Sequence, residues 1–139
     1  MASCIFCRIV AGEIPSSKVY EDDRVLAFMD INPVASGHTL VIPKTHAADI
    51  GALLPEDLTA LALALGRIAP AVMKAVQAEG YNVLNNRGAA AGQAVEHVHF
   101  HVIPRKAGDG RGYRWLTFSY NRGEIESLAS QIARSIGRH

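Results

Sequence analysis

The sequence predicts an α+β domain in which an antiparallel sheet carries one long helix and one C-terminal helix. Three observations lead there. Five short runs rich in strand-forming residues follow one another mostly through turns, the connection that antiparallel neighbours use. One long stretch beginning at Pro55 keeps its apolar residues at helical spacing. The run from Val98 to Val102 alternates apolar residues with histidine, the period of a strand with two different faces.

Residues 4–10 suit a short helix, ended by Ala11-Gly12 and Pro15. Residues 18–21 and 25–29 read as strands about the turn Asp22-Asp23-Arg24, and Asn32-Pro33 and Ser36-Gly37 supply turn chemistry. Residues 38–42 form a third strand, stopped by Pro43. Pro55 opens the long helix, with Glu56 and Asp57 in its first turn where negative charge suits the dipole. Leu58, Leu61, Leu65, Ile68, Val72 and Val76 share its apolar stripe. Pro70 is expected to kink or split it, and Gly80 to end it. Residues 81–85 form the fourth strand, and a Gly/Ala loop over 88–92 leads into the histidine strand. Residues 105–121 read as irregular and 124–136 as an amphipathic helix with Ile125, Leu128, Ile132 and Ile136 on one stripe.

At 139 residues the chain is expected to be one domain, residues 1–139, with a sizeable core. A content of 49% hydrophobic and 19% charged residues excludes a disordered chain. A net charge of +1 argues against a footprint for duplex nucleic acid but allows a small anionic ligand. No membrane span and no secretory signal is read, so the expected location is cytoplasmic.

The segment from Gly92 to Pro104 is the most informative. On a strand, His97, His99 and His101 would line one face about 7 Å apart, with Val98, Phe100 and Val102 packed into the other. Such a row suits a metal, or a nucleophile with flanking donors. Cys4 and Cys7 have the C-x₂-C spacing of a zinc half-site, which His46 and His97 would complete. Two free thiols and a disulfide remain open as readings of the same pair.

The alternating histidines after Gly92-Gln93 resemble the signature of the histidine triad family. Residues 5–15, Tyr20-Glu21-Asp22, 27–33 and 37–46 resemble it too, so the likeness covers most of residues 4–105 and is nearest to the histidine triad nucleotide-binding proteins and their bacterial relatives. The resemblance implies a homodimer whose two five-stranded sheets join into one of ten strands, with a nucleotide phosphate at each triad. It implies that His99 is the nucleophile, that His101 binds the phosphoryl oxygens, and that His97 and His38 support them. Phe6, Ile9, Phe28 and Ile31 would surround the base, Asp30 would hold the ribose hydroxyls, and Asn86, Gly92, Gln93 and Val95 would approach the nucleotide. Ala94 departs from the pattern, since many members carry a hydroxyl there. Bacterial relatives also look built to hold zinc at Cys4, Cys7, His46 and His97. A histidine ligated in this way is not free to act on the leaving group. Such a zinc is expected to be structural, its loss lowering stability while leaving nucleotide binding largely intact.

The function implied is a nucleotide hydrolase, cleaving a nucleoside phosphoramidate or dinucleoside polyphosphate at the α-phosphate through a nucleotidyl-histidine, with a purine substrate and an AMP-like product. The alternative is a nucleotide-binding or scaffolding protein with weak or vestigial activity. A neutral imidazole suits the first reading because it attacks near neutral pH without a separate base.

Overall fold

A computed structural model describes residues 3–111 and 115–137. The expectation of irregular chain over 105–121 therefore falls partly outside the described residues. The elements run α1 (Ile5–Val10), β1 (Lys18–Glu21), β2 (Val25–Met29), β3 (Thr39–Pro43), α2 (Pro55–Ala75), β4 (Gly80–Asn85), β5 (Phe100–Arg105) and α3 (Glu124–Ile136). The five strands form one sheet in the order β1-β2-β3-β5-β4, every pair antiparallel.

Alternation along the strands sorts the core into two layers. Val25, Ala27, Val41, Val98 and Val102 meet Leu61, Ala64, Ile68, Ala69 and Val72 of α2 on one face. Leu26, Phe28, Leu40 and Ile42 meet Phe6 and Ile9 of α1 on the other. His101 stands opposite Leu40 on β3 and Leu84 on β4, and so shares the face that α1 covers. The sheet thus separates a structural layer beneath α2 from a layer in which histidines sit beside α1.

Four expectations need correction. The histidine strand begins only at Phe100, so His97, at a bend, and His99 precede it outside any strand. Pro43 has no N–H to offer a continuing ladder, and the N–H of Val98 goes instead to the Ala47 carbonyl at 2.7 Å. Pro43 itself belongs to β3, paired with Val25. Helix α2 is not split at Pro70, nor is it ended by Gly80, which opens β4. It ends in a Schellman arrangement, in which Ala78 N–H reaches the Met73 carbonyl (2.9 Å) and Gln77 N–H the Lys74 carbonyl (3.2 Å). Gln77 takes the left-handed conformation (φ 54°) that the sequence suggested glycine would supply.

By length and composition α2 also passes for a membrane span, contrary to the reading of the sequence. Its packing is that of a core helix, because one face closes the sheet and Asp57, 2% exposed, is paired to Arg24 at 2.8 Å. Gly37 makes the approach to β3 possible. Its φ is +98°, and an added Cβ would lie 2.9 Å from Cγ1 of Val76. The next residue is His38, 2% exposed, at the entry to the strand.

Candidate active site and metal centre

A cavity of about 400 Å³ opens between α1 and the sheet, within the size range of small-molecule sites. His99 and His101 stand in its lining. Phe6, Ile9 and Phe28 make an apolar wall, and Asp30, Ile31 and Val95 are further lining residues that the sequence singled out. Ile14, Pro15, Leu40 and Ala94 also line it and were not picked as contacts. Leu40 could have been found from strand alternation, since it shares the face of Phe28 and His101. Phe6 packs edge-on against Phe28 (5.7 Å between ring centres), His99 (5.1 Å) and His97 (5.8 Å). Ile31 is 91% exposed and forms part of the rim.

Hydrogen-bond partners assign the proton on each imidazole. Nδ1 of His99 lies 2.8 Å from the His97 carbonyl, which can only accept, so Nδ1 carries the proton and Nε2 keeps a lone pair. Val34 N–H donates to Nδ1 of His38 at 3.0 Å, which places the His38 proton on Nε2. That Nε2 lies 2.9 Å from Nδ1 of His101, which must then accept, leaving the His101 proton on Nε2. Asp30 Oδ2 stands 3.5 Å from the same His38 nitrogen, while Oδ1 accepts from Asn32 N–H. Burial first, then the neighbouring His99 and His38, lowers the pKa of His101 to about 4. Burial likewise lowers that of His38, against the pull of Asp30. Both rings are therefore neutral at neutral pH. The constellation presents one bare imidazole nitrogen on His99 beside one neutral N–H donor on His101.

His97 is placed elsewhere than the alternating face suggested. It is fully buried, and its Nε2 donates to the Pro43 carbonyl at 2.8 Å. Its Nδ1 faces Cys4 Sγ (3.4 Å), Cys7 Sγ (3.6 Å) and His46 Nδ1 (3.2 Å). Cys7 Sγ lies 3.3 Å from His46 Nδ1. With Nε2 on the Pro43 carbonyl and Nδ1 toward the cluster, the His97 ring is not part of the cavity lining.

The four ligand atoms lie within 4.8 Å of one another. A tetrahedral zinc, with bonds of about 2.3 Å to sulfur and about 2.0–2.1 Å to nitrogen, would set S···N edges near ~3.6 Å and an N···N edge near ~3.4 Å. The four separations given above, 3.2–3.6 Å, lie within about 0.3 Å of those edges. The carbonyl on Nε2 of His97 is the outer partner that such ligands have. Burial, with the adjacent Cys4 thiol next, raises the pKa of Cys7, and a metal bound there would take its sulfur as the thiolate.

Three expected nucleotide contacts are not in the cavity lining. Gln93 is spent on its own loop, accepting from Gly88 N–H (2.7 Å) and donating to the Ala48 and Val95 carbonyls (3.1 Å each). Gly92 closes the preceding turn with φ +96°, and Asn86 lies against it. In their neighbourhood Asn85, unpredicted, donates to the His99 carbonyl at 3.0 Å and so fixes the backbone of the nucleophile candidate.

The HIT domain matches residues 11–108 of this chain. Adenosine 5'-monophosphoramidase hnt1 of Schizosaccharomyces pombe is 43% identical over 135 residues, covering 96% of this chain and 98% of that protein. The crystal structure of a HIT family member from Bacillus subtilis superposes with a TM-score of 0.93 at 44% identity, covering 99% of both chains. A zinc-bound histidine triad family protein from Mycobacterium smegmatis superposes with a TM-score of 0.75 at 39% identity, covering 96% of this chain and 98% of that one.

Proposed function

The chain belongs to the HIT domain family, and on that footing we propose that it is a nucleotide hydrolase that cleaves at the α-phosphate through a nucleotidyl-histidine formed on His99. One observation carries the reading. The His97 carbonyl strips the proton choice from His99 and leaves its Nε2 bare in the lining of the cavity, beside the N–H that the His38 bond assigns to His101. The name of the fission-yeast relative favours a nucleoside phosphoramidate over a dinucleoside polyphosphate as substrate.

A purine would lie against Phe6, Ile9 and Phe28, with its ribose toward Asp30. Nε2 of His99 attacks phosphorus as the P–N bond to the leaving amine breaks. The leaving nitrogen takes a proton from solvent as it departs, and the water that attacks in the second step returns one to solvent. His101 Nε2–H stabilises the charge on the phosphoryl oxygens. Water then attacks the same phosphorus and breaks its bond to His99, releasing an AMP-like product.

The cluster of Cys4, Cys7, His46 and His97 would hold a structural zinc, a reading supported by its tetrahedral spacing and by the zinc-bound relative. The protein would act as a homodimer with β4 edges joined into a ten-stranded sheet. Supporting this, β4 is an edge strand with Tyr81 and Val83 each 41% exposed. Leu54, Leu58 and Leu63 of the α2 region and the Ile125, Leu128, Ile132 and Ile136 stripe of α3 are also exposed.

Turnover of an adenosine phosphoramidate beside a dinucleoside polyphosphate, for the wild-type protein and His99→Ala, tests the reading. Hydrolysis lost in the variant while AMP binding persists is expected. Near-normal turnover by the variant would overturn it.

A further inference from the structure

We infer that Cys4, Cys7, His46 and His97 are positioning residues for the reaction, holding both the nucleophile and the wall of the base pocket in register through the metal they ligate. The inference rests on the proposed zinc site and goes beyond a structural role for it.

Two routes run from the cluster into the cavity. The first is through His97. Its ring is held at Nε2 by Pro43 and at Nδ1 by the cluster, and its own carbonyl accepts the Nδ1 proton of His99 at 2.8 Å. The residue that would bind the metal with its side chain therefore sets the tautomer of the nucleophile with its backbone. Loosening the ring frees that carbonyl, and His99 would then be able to carry its proton on Nε2, where attack must occur.

The second route is through α1. Cys4 is the cap of this helix, accepting from Cys7 N–H at 3.4 Å, and Cys7 lies in its first turn. The helix has six residues, far too few to persist alone in water. Between and after the two cysteines come Phe6 and Ile9, both buried and both in the cavity wall. The Phe6 ring touches His97 and His99 as well as Phe28, so the two routes meet at one side chain. The sequence suggested that losing zinc would leave nucleotide binding largely intact. The geometry instead couples the two, because ordering α1 for the metal also orders it for the base. Coupling is reciprocal, so bound nucleotide must tighten zinc by the factor by which zinc tightens nucleotide.

The experiment compares AMP binding, by calorimetry, to zinc-loaded and chelator-stripped protein, with native mass spectrometry counting zinc in each. Zinc competition against a chromogenic chelator is measured with and without saturating AMP. Stripping is expected to weaken AMP by about tenfold, and AMP to tighten zinc by the same factor. Cys4→Ser should behave like the stripped protein, although serine is a good helix cap, which separates loss of the ligand from loss of the cap. Amides of residues 5–10 and 97–99 should lose protection from hydrogen exchange on stripping while those of β2 and β3 keep theirs. Equal AMP affinities with one zinc per chain in the loaded sample alone would overturn the inference and leave the zinc reading standing. Loss of protection across the whole sheet would reduce the cluster to a folding device and overturn it too. A loaded sample without zinc removes the zinc reading, and one with zinc that fails to bind AMP removes the nucleotide reading.

Discussion

Replacing His38 by alanine tests how protons are arranged in the site. His38 donates one hydrogen bond, of 2.9 Å, to Nδ1 of His101. A neutral bond of this kind contributes about 1 kcal/mol net, and a buried acceptor left bare costs about 1–3 kcal/mol. Without His38, His101 is free to move its proton to Nδ1 and turn a lone pair toward the phosphate. A bound phosphate favours the original tautomer and limits the damage to the loss of the lock. The expected fall in kcat corresponds to about 1–2 kcal/mol, or roughly fivefold to thirtyfold. His101→Ala removes the donor itself, which typically costs about 3–4 kcal/mol. Because His38 acts through His101, the double variant should be no slower than His101→Ala alone. The assay is steady-state hydrolysis of an adenosine phosphoramidate by all four proteins in one buffer. Additive losses, or a greater loss in His38→Ala than in His101→Ala, would refute the relay of tautomers.

Three further outcomes are expected. Gln77→Gly should stabilise the fold by about 0.5–1 kcal/mol, seen as a thermal midpoint a few degrees higher, because it relieves the left-handed strain at the end of α2. Arg24→Ala should destabilise by about 2–4 kcal/mol in urea, since it strands the buried Asp57 carboxylate, whereas Arg24→Lys should lose less. His101 has a folded pKa depressed from 6.5 to about 4, so the folded state binds fewer protons than the unfolded state between those values. Its contribution to stability is complete above pH 6.5 and is lost as the pH falls toward 4. At most about 3 kcal/mol is involved, and His101→Gln should flatten that part of the stability profile.

Much of the fold was legible because local chemistry and tertiary packing agree. In β2 and β3 the alternation of Val25, Leu26, Ala27 and Phe28, and of Leu40, Val41 and Ile42, sorts side chains into the two observed layers. Disagreement arose where backbone groups found partners that sequence patterns do not show. The histidine run looks like a strand from its first residue, but the Val98 N–H bonds to Ala47 and the His97 ring turns into the cysteine cluster. The end of α2 was misplaced because Gln77, unmarked by composition, accepts a conformation usually left to glycine. At the site, residue types named the imidazoles but not their protons. Those depend on the Val34 N–H and the His97 carbonyl, backbone groups whose neighbours only the fold determines. The resemblance implies that Gln93 approaches the nucleotide, and only the fold adds the three hydrogen bonds by which it shapes the loop.

The measurement closest to the central claim is rapid quench of the protein with a labelled adenosine phosphoramidate, followed by peptide mass spectrometry. The account predicts a transient adenylyl group on the peptide containing residues 97–101, localised to His99, forming and decaying fast enough to lie on the path of turnover. An adduct on His101 or His38, or turnover with no adduct at any time point, would contradict it.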